Sequence, residues 1–161
     1  MAQSQDRNPY TVIRRARLAD AKSIAALSTQ LGYPSSSQKI AARLSALLKD
    51  RGHEVLVSET GAGKLVGWVH VFARKLVESD AHAEIGGLVV DRRFRGSGIG
   101  SRLLDRAEQW ARKKGLAWIY LRTNVVRKDA HAFYEKRGYR NIKTQHAYRK
   151  VLTQSASERA A

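Results

Sequence analysis

The run AEIGGLVVDRRFRGSGIGSRLLDRAEQWARKKG, from Ala83 to Gly115, holds two glycines inside an apolar strand and a glycine- and arginine-rich turn before an amphipathic helix. Glycine weakens a strand interior and marks a bulge or the close approach of another main chain. The first turn of a helix carries free N–H groups and the positive end of the helix dipole, which together bind anions. The spacing therefore predicts an anion site at this turn, surrounded by Arg92, Arg93 and Arg95.

Three phosphate-binding patterns could use such a turn, and their spacing separates them. The nucleotide triphosphate pattern G-x-x-x-x-G-K-[ST] fails because the basic residue that follows the glycines is Arg102, inside the helix. The dinucleotide fingerprint G-x-G-x-x-G is weak, since the glycines at 96, 98 and 100 are evenly spaced and the next strand carries no acid. The pattern R-x-x-G-x-G is met by Arg95, Gly98 and Gly100.

Composition limits the classes of function. The 161 residues include no cysteine, which excludes disulfides, thiolate metal sites and a cysteine nucleophile. The five histidines show no paired ligand spacing, so we expect no metal. A net charge of +16, concentrated in the second half, favours an anionic partner. The chain has no apolar run of membrane-spanning length and its start lacks a signal-peptide core, so we expect a cytoplasmic protein without a membrane partner.

The remaining patterns predict the elements that position the turn, in the order β-α-α-β-β-β-α-β-α-β. Period-2 and β-rich runs predict strands at 11–16, 54–60, 64–77, 81–91 and 116–122, and one or two closing strands within 139–152. Helical periods begin at Asp20, after Pro34 and at Ile99, and a short helix is expected within 129–138. The polar ends, 1–9 and 152–161, are predicted to be flexible tails around a single domain of residues 10–151.

The R-x-x-G-x-G turn, the helix and strand that follow it, and the segment AHAFYEKRGY resemble the GNAT superfamily of acyl-CoA-dependent N-acetyltransferases, over roughly Val12 to Lys150. The LGYP loop and AHAFYEKRGY are similar to bacterial members near the aminoglycoside 6'-N-acetyltransferases. The resemblance implies an α/β (α+β) GNAT fold: a mixed, mostly antiparallel sheet of six to seven strands, with a bulged, splayed central strand and about four flanking helices. It also implies acetyl-CoA as co-substrate.

The resemblance assigns the coenzyme contacts. Main-chain groups of Leu88, Val89 and Val90 would pair with the pantetheine arm, and Gly86-Gly87 would form the bulge. The pyrophosphate would meet the loop N–H groups, with Ser101 close by; these belong to Arg95, Gly96, Ser97, Gly98, Ile99 and Gly100. The family's usual asparagine, seven residues before its tyrosine, is replaced here by Arg127. Asn124 could substitute for it, or Arg127 could bind a coenzyme phosphate directly.

Two residues are candidates for proton transfer. An amine with pKa ~10 is mostly protonated at neutral pH, so a base or a water chain must take its proton. Glu84, before the bulge, occupies a position where some family members carry a base; the alternative is an ion pair with a nearby arginine. Tyr134 matches the tyrosine that protonates the departing coenzyme A thiolate, with core packing as the alternative.

The acceptor site is the least determined part of the sequence. The resemblance points to Tyr33, Trp68 and His70, each of which could equally be an ordinary core or lid residue. A polycationic aminoglycoside would favour an acidic pocket, and the chain has few acids. We expect direct transfer, in a ternary complex, to a primary amine of a small molecule or peptide, in a possible homodimer. The alternatives are a basic nucleic-acid-binding module and a non-catalytic acetyl-CoA sensor; nucleic acid is not expected to take part in catalysis.

Overall fold

The computed structural model describes residues 10–152, and in that part no helix is both long and apolar enough to cross a membrane. The predicted tails lie outside the described residues, apart from Leu152. The chain divides into two units, residues 1–122 and 123–161, and each is described by itself.

The first unit is built on one mixed sheet. Its strands are β1 (Thr11–Arg15), β2 (His53–Thr60), β3 (Leu65–Arg74), β4 (His82–Val90) and β5 (Ile119–Leu121). They lie in the order β1-β2-β3-β4-β5; the first three pairings are antiparallel, and β4 runs parallel to β5. The predicted mostly antiparallel sheet is therefore confirmed.

Three helices cover the sheet: α1 (Ala21–Leu31), α2 (Ser37–Leu47) and α3 (Ile99–Lys113). The Ser36 side chain caps α2 by accepting from the N–H of Lys39, and Gly32 ends α1 at a φ of 99°. One apolar cluster joins α1 and α2 to the sheet; its buried members include Leu27, Leu44, Val55, Val57 and Val89. The apolar stripe of α3 is fully buried at Leu103, Leu104 and Ala107, and this helix packs on β3 and β4.

The bulge predicted for the central strand lies at Gly86. In the antiparallel pairing, Val71 faces Ile85 and His70 faces Gly87, so Gly86 is an extra residue on β4. The parallel pairing with β5 covers only Ala83 to Ile85, so β4 separates from β5 at the bulge. The predicted bulge in the central strand, and its separation from the neighbouring strand beyond that bulge, are confirmed.

The second unit contains α4 (Lys128–Lys136) and no strand among residues 123–152. The expected closing strands are therefore wrong for 139–152, and the described chain has five strands instead of six to seven. Residues 140–152 are all exposed. This basic segment therefore buries no apolar face, and a strand needs such a face to fix its pairing register. The predicted strand 116–122 is also shorter, at Ile119–Leu121.

Candidate active site

The bulge packs against three side chains of β3. A Cβ atom added to Gly86 would lie 2.9 Å from Nδ1 of His70 and 3.3 Å from the Phe72 ring. A Cβ atom on Gly87 would lie 2.7 Å from the Trp68 ring. Real Cβ atoms essentially never lie within 3.0 Å of such atoms, so a side chain at either position would force the strand or a ring to shift.

Beyond the bulge, β4 has one paired and one open edge. Leu88, Val89 and Val90 pair with Val69, Trp68 and Gly67 of β3, and among residues 10–122 no strand pairs with their other edge. Val89 is buried in the core, whereas Leu88 and Val90 are half-buried. The Nε of Arg95 donates to the carbonyl oxygen of Val90 at 3.2 Å, which ties the following loop to the end of the strand. An open strand edge can accept an extended ligand as an added strand.

The turn after β4 leads directly to the N-terminus of α3. Gly96 and Gly98 have φ values of +76° and +80°, a left-handed conformation that side chains disfavour. Gly98 is the N-cap of α3 and supplies no side-chain hydrogen bond, so no side chain occupies the first-turn N–H groups at that cap. Of the predicted loop residues, Ile99 is the buried anchor, and Arg95, Gly96 and Gly98 are exposed. Ser97, Gly100 and Ser101 are half-buried.

Asp91 fixes the start of this turn. Its carboxylate accepts from the main-chain N–H of Arg93 at 3.1 Å and from the Arg93 guanidinium at 2.8 Å. These hydrogen bonds lower the pKa of Asp91 to about 2, against the opposing effect of burial. The main-chain N–H of Arg92 donates to the side chain of Gln30 on α1, at 3.0 Å. The loop is therefore held at both the sheet and a helix.

Glu84 is buried, with 2% of its surface exposed, and both of its carboxylate oxygens are engaged by arginine. Arg74 donates to one oxygen, and Arg122 donates to the other at 2.7 Å. The hydrogen bond to Glu84 raises the pKa of Arg74. The side chains of Arg74 and Arg122 are 31% and 61% exposed, so both guanidinium groups keep donors that face solvent. The ion-pair alternative for Glu84 is thus present, and its role as a base stays a prediction.

His70 belongs to a cluster of three rings with His53 and Phe72. Nε2 of His70 lies 2.9 Å from Nδ1 of His53, and the two rings lie 5.2 Å apart at 25°. Burial and, to a smaller extent, the charge of His53 lower the pKa of His70 to about 4. His70 is therefore neutral at physiological pH. Its Nδ1 lies against Gly86, and its Nε2 is hydrogen-bonded to Nδ1 of His53.

The other two predicted acceptor residues differ in environment. Tyr33 is 74% exposed in the loop after α1. Trp68 packs against the core cluster, and its buried indole N–H has no hydrogen-bond partner among residues 10–152. The structure brings Trp68, His70, Glu84 and the open edge of β4 onto neighbouring positions of two paired strands.

The second unit contains the remaining candidates. Burial raises the pKa of Tyr134, although the charge of Arg127 lowers it in part, and its ring contacts those of Phe133 and Tyr139. Asn124 organises the turn before α4: its side chain accepts from the N–H of Val126, and its carbonyl oxygen lies 3.0 Å from Nε2 of His131. Arg127 is half-buried at the N-cap of α4.

Three neighbouring residues were not predicted from the sequence: His53, Arg74 and Arg122. Strand pairing brings them to the site: His53 faces Phe72, Arg74 reaches Glu84 from β3, and Arg122 reaches it from the position that follows β5. The signal would have been the register of the hairpin, which places the even-numbered residues of β3 on one face. Residues 10–152 contain no group of three or more His, Asp or Glu side chains that could hold a metal ion, and the metal-free prediction remains untested.

The chain is similar in sequence to known proteins. Residues 18–139 match the model of the acetyltransferase (GNAT) family. Aminoalkylphosphonate N-acetyltransferase of Salmonella typhimurium is 34% identical over 146 residues, which cover 87% of this chain and 92% of that protein.

Solved structures share the fold. An aminoglycoside 6'-N-acetyltransferase from Acinetobacter baumannii superposes with a TM-score of 0.79 at 17% identity, over 89% of this chain and all of that one. Glucosamine-6-phosphate N-acetyltransferase from Arabidopsis thaliana gives a TM-score of 0.75 at 23% identity, over 87% and 98% of the two chains. The family resemblance drawn from the turn and AHAFYEKRGY, and with it the expectation of an N-acetyltransferase, is confirmed: this chain belongs to the acetyltransferase (GNAT) family.

Proposed function

We propose that this chain transfers the acetyl group of acetyl-CoA directly to the primary amine of a small molecule that also carries an anionic group. One observation carries the coenzyme part: the bulge at Gly86 opens an edge of β4 that ends at the uncapped N-terminus of α3. The open edge suits the amide-bearing pantetheine arm, and the helix N-terminus suits a pyrophosphate.

The coenzyme contacts follow the chain in order. Main-chain groups of Leu88 to Val90 pair with the pantetheine arm. The loop N–H groups from Arg95 to Gly100 hold the pyrophosphate, and Ser101 adds a hydroxyl. Gly96 and Gly98 support this assignment because their left-handed φ values turn the loop main chain without a side chain in the way. Arg127 and Asn124 remain the candidates for a further coenzyme contact.

In the reaction, the neutral amine attacks the thioester carbonyl carbon, the C–S bond breaks, the new amide nitrogen loses a proton, and the thiolate takes one, so this step neither consumes nor releases a net proton. No cysteine is available to form an acetyl-enzyme, which supports direct transfer in a ternary complex. Tyr134 supplies the proton to the thiolate by the family resemblance. The phenol is protonated at neutral pH, as a proton donor must be, although burial raises its pKa and makes it a weaker acid than a free tyrosine.

The acceptor class is supported by charge and by one relative. Arg74 and Arg122 flank Glu84, two residues before the bulge, so this region holds two cations and one buried anion. Their solvent-facing donors suit a phosphonate, phosphate or carboxylate. The relative from Salmonella is named for aminoalkylphosphonates, which combine an amine with such an anion. We therefore propose that Glu84 positions the two arginines and that they bind the anionic end of the acceptor.

The test is thiol release from acetyl-CoA with a panel of amines: 2-aminoethylphosphonate, glycine, spermidine, an aminoglycoside and a basic peptide. We expect the aminophosphonate to give the highest kcat/KM. Gly98→Ala should raise KM for acetyl-CoA far more than KM for the amine, because the side chain strains the loop that holds the coenzyme. Preference for spermidine or the aminoglycoside would contradict the anionic acceptor, and preference for the peptide would indicate a protein substrate. Coenzyme binding without turnover of any amine would support the sensor alternative.

A further inference from the structure

We infer that His70, His53 and Asp50 form a proton relay that takes the proton of the acceptor amine at the bulge of β4 and releases it at the protein surface. This inference rests on the proposed function, since it concerns the base of the same reaction.

The relay consists of one hydrogen bond, between the two histidines, and one longer ion-pair contact to the carboxylate. Nδ1 of His70 lies against the Cα of Gly86, at the point where β4 opens. Nε2 of the same ring lies 2.9 Å from Nδ1 of His53, and Nε2 of His53 lies 3.8 Å from a carboxylate oxygen of Asp50. Exposure rises along the relay, because the side chain of His53 is 26% exposed and that of Asp50 is 58% exposed. A Cβ at the bulge would lie 2.9 Å from the first nitrogen, so glycine at position 86 leaves that nitrogen uncovered by a side chain.

The environment of His70 fits a relay better than a base that stores a proton. Burial keeps this ring neutral, with a pKa of about 4, so an imidazolium at His70 is costly and short-lived. When His70 accepts a proton on Nδ1 and gives one from Nε2 in the same event, the buried ring never holds a full charge. The charge passes to His53, which is more exposed and lies near a carboxylate.

The protons balance over one turnover. Before reaction, Nε2–H of His70 donates to Nδ1 of His53, and His53 carries its own proton on Nε2. The ammonium N–H bond breaks and its proton binds Nδ1 of His70, the Nε2 proton moves to His53, and the Nε2 proton of His53 moves to Asp50 or to water. Both rings end neutral in the opposite tautomer and exchange with solvent before the next acceptor binds.

This mechanism removes the base role from Glu84, whose two oxygens both accept hydrogen bonds from arginine. It also gives the cluster of His53, His70 and Phe72 a use beyond packing, since Phe72 stacks on His53 at 5.3 Å and fixes the ring that receives the proton.

The kinetic test compares two acceptors in one variant. An aminooxy analogue of 2-aminoethylphosphonate is already unprotonated at neutral pH and needs no base before attack. We expect His70→Gln to lower kcat/KM for 2-aminoethylphosphonate by about 10²-fold, the lower range of general base catalysis, and for the aminooxy analogue by less than about tenfold. His53→Gln should show the same difference to a smaller extent, with KM for acetyl-CoA unchanged. His146→Gln, an exposed histidine in the second unit, is the matched control and should behave as the unsubstituted protein.

An equal loss on both acceptors would mean that the ring only shapes the site, and would overturn the relay. A second measurement needs no turnover and separates this inference from the proposed function. The ¹⁵N spectrum of the intact protein should show a neutral His70 with its proton on Nε2. A proton on Nδ1, or a charged ring at neutral pH, would overturn the relay even if every acceptor were turned over. If no amine is acetylated but the expected tautomer is present, the proposed function fails and the paired rings stand as a structural feature.

Discussion

The two halves of β4 differ in what surrounds them. Before the bulge, Ala83 to Ile85 pair with β3 on one side and with β5 on the other, and all three residues are buried. After it, Leu88 to Val90 pair with β3, and no other strand among the described residues pairs with them. One extra residue, Gly86, separates the two halves, so a single insertion in the strand converts a closed sheet into an open edge.

The difference shows how one strand combines stability with binding. The first half buries Glu84 and neutralises it with two arginines that reach from neighbouring strands. The second half has no strand to close it and is instead held at its end, where Asp91 fixes the turn into α3. We therefore expect changes at the bulge to affect the reaction most, and changes at the ends of the strand to have smaller and more specific effects.

The largest effect is expected at the bulge itself. Gly86→Ala places a methyl group 2.9 Å from Nδ1 of His70 and 3.3 Å from Phe72, so the strand or the ring must shift. A misplacement of about 1 Å in the site costs about 10²-fold in rate, and we expect at least that loss in kcat/KM from a thiol-release assay. Gly61→Ala is the matched control, because nothing lies within 4 Å of a Cβ there. Near-normal kcat/KM of Gly86→Ala would show that the reaction does not depend on the geometry of the bulge.

The next effect tests whether chemistry depends on the second unit. Tyr134→Phe removes the proposed proton donor while keeping the ring against Phe133 and Tyr139. A thiol with pKa ~8.5 is a good leaving group without help, so we expect kcat to fall about 10- to 10²-fold, at or below the lower limit of general acid catalysis. KM for acetyl-CoA should not change.

The pH profile gives a second readout for Tyr134. Burial raises the pKa of this phenol, so the protonated form persists above pH ~10, where a free tyrosine ionises. Activity that depends on this proton should therefore persist to higher pH than an ordinary phenol allows. Because the unfolded chain loses its proton first, the stability contributed by the neutral phenol is present below pH ~10 and declines above it. An unchanged kcat in Tyr134→Phe would contradict the donor role.

A smaller effect, limited to the acceptor, is expected at the closed half. Arg122→Gln removes one of the two cations at Glu84, and we expect KM for 2-aminoethylphosphonate to rise about tenfold, the loss of one charge-assisted contact of about 1.4 kcal/mol. KM for acetyl-CoA and KM for propylamine, which lacks the anion, should stay the same. Arg112→Gln is the control, since this arginine pairs with Glu108 on the exposed face of α3.

Glu84→Gln then separates the two roles of the carboxylate. A general base would cost about 10²- to 10⁴-fold in kcat on an alkylamine, with a smaller loss on an aminooxy acceptor. A carboxylate that only positions arginines should change kcat by less than about tenfold on both. We expect the second result, and the first would return the base role to Glu84.

The local main-chain features of the site were predicted correctly from the sequence. The glycine pair predicted the bulge, and the spacing Arg95, Gly98, Gly100 predicted a turn that needs glycine and opens a helix at Ile99. These features depend on main-chain conformations that other residues disfavour, so a glycine in the sequence indicates them directly. The buried stripe of α3 follows in the same way from its 3.6-residue period.

Features that depend on pairing between distant strands were missed. His53 and His70 are 17 residues apart, and Glu84 and Arg122 are 38 apart; only the strand register brings them together. The closing strands were predicted from the β-rich pattern within 139–152, but a strand also needs a partner and a buried face. Residues 140–152 are exposed throughout, so local propensity did not decide their conformation.

The smallest effect is expected at the end of the open half of β4, where the Asp91 side chain holds the turn that follows the strand. Its pKa of about 2 lies below the ordinary value of 3.8 because Arg93 stabilises the ionised form. The stabilisation is therefore fully present above pH ~4 and is lost as the pH falls from there through about 2. Since the side chain of Arg93 is 66% exposed, solvent screens the pair, and we expect Asp91→Asn to lower the free energy of unfolding by about 1 kcal/mol at neutral pH. Urea unfolding at neutral and acid pH, with the exposed Asp80→Asn as control, should show the difference vanish towards pH ~2. A difference that persists at acid pH would mean that Asp91 holds the turn by shape and main-chain hydrogen bonding, independently of its charge.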